Sequence, residues 1–229
     1  MKSNKTLTKK ITDGDDLKSL GTKLRARRII PLMKVIEDVS KKHDRVNLID
    51  VGGTELYWNI LPHNFLDKHN VSITVVNVPG SPLPADHGRF RFVHADGCNL
   101  NEIQDNAFDI AHSNSVIEHV GDWSRMVMFS NELKRIAPRY FVQTPNYWFP
   151  IEPHCMTLFF HWLPKPMRIW LVMNFSLGNW VKASSVDHAV RKVESARLLN
   201  TKMFRELFDD ARIETEKFAF LPKSFVAIR

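Results

Sequence analysis

Two glycines follow closely on an acid in Asp50-Val51-Gly52-Gly53, and these are the residues of this chain best placed to hold a ligand. Val46, Leu48 and Ile49 run into Asp50 and read as a buried strand that ends in a sharp turn. Gly52 and Gly53 lack Cβ, so they accept positive φ and let a flat ligand group lie against the main chain. Asp50, at the strand's carboxyl end, falls where open α/β sheets bind ligands. A buried strand with an ordinary glycine turn, and Asp50 as a turn cap, fits the same residues. A second constellation is Glu152-Pro153-His154. A carboxylate two residues from an imidazole can orient the ring and raise its basicity, which suits a general base or a substrate clamp.

The elements that must position these groups alternate. Dense apolar or β-branched runs at 46–51, 71–78, 90–94, 108–114 and 140–144 read as strands. Between them, Met126, Phe129, Leu133 and Ile136 share one helical face, as do Leu32, Val35, Ile36 and Val39 ahead of the first strand. Trp58, Leu61, Phe65 and Leu66 predict a helix behind the glycine turn, starting or restarting near Leu61 because Pro62 interrupts it. Asn200 or Thr201 can cap a later helix carrying Phe204, Leu207 and Phe208. Two runs at 212–220 and 223–229 follow closely enough to pair antiparallel. The expected fold is therefore α/β: a Rossmann-like, seven-stranded, mostly parallel sheet with helices on both faces and an antiparallel C-terminal strand pair. Residues 146–198 break the rhythm and form a helical, aromatic insertion after strand five. We expect a basic arm over 1–29 and a single domain over 30–229.

The net charge of +7 is confined to the start of the chain. Residues 1–45 hold 13 Lys/Arg and 6 Asp/Glu, whereas the remainder holds 19 of each. An enzyme acting on nucleic acid would also carry basic surface around its site, so nucleic acid is an unfavoured partner. Cys98 and Cys155 show no zinc-type spacing, and no metal is expected. The lysine-rich start lacks the apolar core of a signal peptide, which points to a cytoplasmic protein.

LIDVGGT (48–54), Asn77 at the end of the second strand, Asp96-Gly97 after the third, FDIAHSNSVIEHV (108–120) and ELKRIAPRYFVQTPN (132–146) occur in the order found in one family. Over roughly residues 30–229 the chain resembles the class I S-adenosylmethionine-dependent methyltransferases. That resemblance implies S-adenosyl-L-methionine as cofactor, with Asp50, Gly52, Gly53, Asn77, Asp96, Gly97 and Asn114 as its contacts. It implies an acceptor methylated by in-line transfer, a reaction in which alignment alone can supply ~7–11 kcal/mol. His119 occupies the position after the fourth strand where it could face the substrate or simply pack, and His154 lies at the expected mouth of the site. These two are the catalytic candidates. The chain differs from the family by lacking a third glycine and by carrying Asn77 where an acid is usual. The absence of G-x-G-x-x-G also argues against a dinucleotide-binding dehydrogenase.

Phe159, Phe160, Trp162, Trp170, Phe175 and Trp180 crowd the insertion, but its longest uncharged run, 169–181, has 13 residues. That is short of the ~20 a spanning helix needs. A lid, a homo-oligomer surface or an interfacial hairpin all fit, the last suggesting peripheral contact at the inner membrane face through 155–181 and the basic arm. The function expected is O- or N-methylation of a small or lipid-like acceptor. The alternatives are an RNA or protein methyltransferase and a degenerate cofactor-binding scaffold.

Overall fold

In the computed structural model, which describes residues 27–229, seven strands form one sheet in the order β3-β2-β1-β4-β5-β9-β8. Here β1 is Val46–Val51, β2 Val71–Asn77, β3 Phe90–His94, β4 Ile110–Asn114, β5 Arg139–Pro145, β8 Arg212–Phe218 and β9 Leu221–Ile228. The first five run parallel, and β9 joins β5 and β8 antiparallel, as the sequence predicts. Five of the six β1 side chains are buried, because a parallel strand covered on both faces has no solvent side.

Alternation along the strands feeds two cores. Leu48, Ile73, Ile110 and Phe141 meet α1 (Ile30–Ser40) through Leu32, Ile36 and Val39. Ile49, Val51, Ala111 and Val142 meet α3 (Trp123–Ile136) through Met126, Phe129, Leu133 and Ile136. Phe204 and Leu207 of α6 (Thr201–Leu207) complete that second layer. Asp122 caps α3 by accepting from the Arg125 N–H, and Asn200 rather than Thr201 caps α6 by accepting from Met203.

Behind β1 the expected helix from Leu61 is replaced by shorter pieces. A 3-10 helix spans Glu55–Ile60, and a single helical turn, α2, spans Phe65–Lys68. Leu61 itself is extended, with φ −71° and ψ 152°, because Pro62 disfavours the helical region for the residue before it. The glycine turn therefore does not open a long helix.

The insertion holds a two-stranded sheet of β6 (Ile151–Glu152) and β7 (Thr157–Leu158), then α4 (Lys165–Asn174) and α5 (Val186–Glu194). The two helices pack on a core of their own around Cys155, Phe160, Val172, Ala183, Ala189 and Val193. Among the described residues no helix is long and apolar enough to cross a membrane. Most of the basic arm, residues 1–26, lies outside the described residues. Of the remainder, Arg28 is nearly buried, its Nη1 3.4 Å from Glu216 Oε2.

Candidate active site

The strand order reverses between β1 and β4, and a groove of about 370 Å³ opens at the carboxyl ends there. Gly52 turns the chain at φ +78°, and a Cβ on it would fall 2.5 Å from Val116. A Cβ on Gly97 would fall 2.7 Å from Phe129 and 2.8 Å from Val51. Side chains at these two positions would collide with the groove's own walls. Asn77 donates from Nδ2 to the Gly53 carbonyl at 3.0 Å, which leaves its Oδ1 as an acceptor on the groove wall. Asp96 accepts from Arg125 Nη2 at 2.9 and 2.7 Å and from the Cys98 N–H at 3.0 Å. Burial pushes the Asp96 carboxyl upward, but Arg125 and that N–H outweigh it and hold it below its ordinary value.

Two expected contacts stand elsewhere. Asp50 is fully buried, accepting from the His112 ring at Nδ1 (2.7 Å) and from Trp58 Nε1 (3.0 Å). Strand alternation explains the placement: Asp50 shares its face with Leu48 and Trp58, whereas Val51 points the other way, into the groove. The Asp50 carboxylate occupies the space that a Gly53 Cβ would take, so Gly53 serves the carboxylate rather than the groove. Asn114 ends β4 outside the groove lining, with its Oδ1 buried and without a hydrogen-bond partner.

The two imidazoles meet. His119 closes a 3-10 helix, Ile117–His119, and its Nε2 lies 3.1 Å from the Nε2 of His154. The outer nitrogens are both engaged, His119 Nδ1 with the Ser195 carbonyl at 2.6 Å and His154 Nδ1 with Glu152 at 2.6 Å. Burial lowers His119 below its ordinary value. Burial also acts to lower His154, but the bond to Glu152 and its charge raise it overall. Glu118 lies beside them, fully buried and pushed up to about 7 by desolvation. Thr144 donates to its Oε2 at 3.0 Å, while Oε1 has no partner.

On the far side of His154, a cavity of about 570 Å³ opens within the insertion. Lys165, Arg168, Lys192 and Arg197 line it, with Phe160, Trp162 and Trp180 as apolar walls. Lys165 pairs with Glu194, and Glu152 is committed to His154, so the remaining cations dominate. Arg168 Nε and His161 Nδ1 are buried there without partners.

Residues 54–137 match the family model described as a methyltransferase domain. That segment, rather more than a third of the chain, is similar to a methyltransferase domain. The matched segment begins directly after Gly53 and contains Asn77, Asp96, Gly97 and His119. A methyltransferase-like segment on this seven-stranded sheet agrees with S-adenosyl-L-methionine, the cofactor that the sequence resemblance implies. Comparison with curated proteins gives no match. Among solved structures, a SAM-dependent methyltransferase from Archaeoglobus fulgidus is 11% identical at TM-score 0.53, over 91% of this chain and 94% of that one. A putative Zn-dependent alcohol dehydrogenase from Rhodobacter sphaeroides is also 11% identical, at TM-score 0.50 over 80% and 83%. An O-methyltransferase family protein from Burkholderia thailandensis is 12% identical at TM-score 0.49, over 89% of this chain and 57% of that one. The chain therefore spans little more than half of that last protein. Likenesses at such identities speak for the Rossmann-like fold alone.

Four of the seven expected cofactor residues, Gly52, Asn77, Asp96 and Gly97, line the groove, and His119 joins them. Reasoning from the sequence missed Glu118, Thr144 and the cationic residues of the insertion. Glu118 was legible only as part of SNSVIEHV, because its burial depends on Thr144 and on the Arg197 N–H that donates to its backbone carbonyl.

Proposed function

We propose that this protein transfers the methyl group of S-adenosyl-L-methionine to a small, amphiphilic acceptor bearing an anionic group. The observation that supports this most is the juxtaposition of two cavities at His119 and His154: one shaped by glycines, one lined by cations and aromatic rings. The groove residues fit the cofactor. Gly52 and Gly97 leave room only for a ligand lying flat on the main chain, and the free Asn77 Oδ1 can accept from a ribose hydroxyl. Asp96 is ionised and can accept from an exocyclic amine. When bound, the cofactor supplies an electrophilic methyl on a sulfonium.

The chain's own part is alignment and proton handling. Arg168 is half-buried with an unpaired donor, and it can bind the acceptor's anion with charge-assisted bonds. Trp162, Phe160 and Trp180 cover its apolar body. His154, oriented by Glu152, faces the acceptor's nucleophile together with His119 and takes its proton or clamps it. Exposed Trp148, Phe159, Trp170 and Phe175 on the insertion would let the protein rest on a membrane surface and draw an acceptor from it.

One experiment tests the acceptor. Transfer of labelled methyl groups is measured to soluble organic acids and to anionic lipids in vesicles. Losing a charged hydrogen bond worth ~1.5–3 kcal/mol, Arg168→Ala should raise KM about 10- to 100-fold with kcat little changed. Trp170→Ser with Phe175→Ser should lower turnover only on the vesicle-borne acceptor. An unchanged KM in Arg168→Ala would remove the anionic acceptor, and indifference to the aromatic substitutions would remove the membrane contact.

A further inference from the structure

We propose that Glu118, His119 and His154 bind a divalent transition-metal ion of the Zn²⁺, Fe²⁺ or Co²⁺ class where the cofactor groove meets the acceptor cavity. The inference rests on the same two rings that the proposed function assigns to the acceptor, and it states how they act.

One potential ligand atom from each of the three residues lies within 4.8 Å of the others. Ligands about 2.0–2.2 Å from one ion stand roughly 3–4 Å apart, and the two Nε2 atoms are 3.1 Å apart. The tautomers follow from the outer partners. The Ser195 carbonyl can only accept, so His119 Nδ1 carries the hydrogen and Nε2 presents a lone pair. Glu152 accepts from the His154 and Cys155 backbone N–H groups as well as from His154 Nδ1, so this ring also presents its Nε2 lone pair. Two lone pairs facing each other at this distance repel unless something positive lies between them.

A proton would satisfy the two rings and nothing else. Glu118 Oε1 would still be buried without a partner, although its other oxygen accepts from Thr144. A cation satisfies all three groups together. Each ligand also has the outer partner that metal sites use to fix ring and carboxylate orientation: Glu152 for His154, the Ser195 carbonyl for His119 and Thr144 for Glu118. Two imidazoles with one carboxylate suit a borderline transition metal better than Mg²⁺ or Ca²⁺, which favour all-oxygen sites. Three protein ligands leave a position open, the pattern of a catalytic site. Such an ion would lower the pKa of a hydroxyl held beside it toward neutrality, and the proton would pass to solvent. His119 and His154 would then act on the acceptor as ligands rather than by taking its proton. The methyl would pass to that oxygen as its bond to sulfur breaks and a thioether leaves. The ligands come from the end of one 3-10 helix and from the β6–β7 turn, so no local sequence spacing reveals them.

The test uses the full chain, freed of metal and of any affinity tag, titrated with Co²⁺ by calorimetry and visible absorption. We expect one ion per chain, with affinity at least a hundredfold lower in His119→Ala and in His154→Ala. Glu152→Gln, which loosens the ring without removing a ligand, should cost about 10- to 100-fold. Should a histidine variant unfold, Glu118→Gln, close in shape to the native side chain, carries the test through weakened Co²⁺ binding. S-adenosylhomocysteine titrated into the same samples reads the cofactor groove separately, so loss of one site cannot be mistaken for loss of the other. Absence of one-to-one Co²⁺ binding in the wild type, or equal affinity in the histidine variants, would overturn the proposal.

Discussion

Asp50→Ala is expected to destabilise the fold by roughly 2–6 kcal/mol, because it leaves two buried donors without an acceptor at ~1–3 kcal/mol each. Those donors are the His112 ring at Nδ1 and Trp58 Nε1, and all three side chains are buried to within a few per cent. The His112 ring also packs between Tyr57, Trp58 and Phe141, so it cannot turn outward to find water. Asp50→Asn retains one acceptor oxygen but turns an amide donor toward one of the two N–H groups, and it should fall between wild type and alanine. Urea denaturation measures both. A loss below about 1 kcal/mol, combined with S-adenosylhomocysteine affinity more than tenfold weaker, would restore Asp50 as a cofactor contact.

His154→Ala should lower kcat by about 10²–10⁴-fold, the range for a positioned group that handles a proton in the transition state. The expectation depends on Nε2 standing between the two cavities, and it holds whether that atom takes the proton itself or holds an ion. Because His154 does not line the groove, affinity for S-adenosylhomocysteine should stay within a factor of about two or three of wild type, a free-energy change below roughly 0.7 kcal/mol. Glu152→Gln should produce a smaller loss, since the ring stays in place without its carboxylate partner. Wild-type turnover in His154→Ala would remove His154 from the chemistry.

The sheet was legible because its strands are short apolar runs with turn residues at their ends, and because order along the chain constrains parallel neighbours. For the same reason the groove residues Gly52, Asn77, Asp96 and Gly97 could be named: each lies at or just past the carboxyl end of a strand. Side-chain direction was less accessible. Asp50 lies on the same strand as Val51 but faces the opposite core, and only the register Asp50↔His112 places its partner. Trp58, Leu61 and Phe65 imitate a helical face, yet they sit on a 3-10 helix, an extended residue and a single turn divided by Pro62. Glu118 looks like a surface acid in sequence and becomes buried only when β5 and the segment after α5 close over it.

Calorimetry with S-adenosylhomocysteine tests the account most directly. Binding of one molecule per chain is expected, weakened about tenfold in Asn77→Ala through loss of a hydrogen bond worth ~1–1.5 kcal/mol. No detectable binding to the wild-type chain would contradict the assignment of the groove and, with it, the methyltransferase reading.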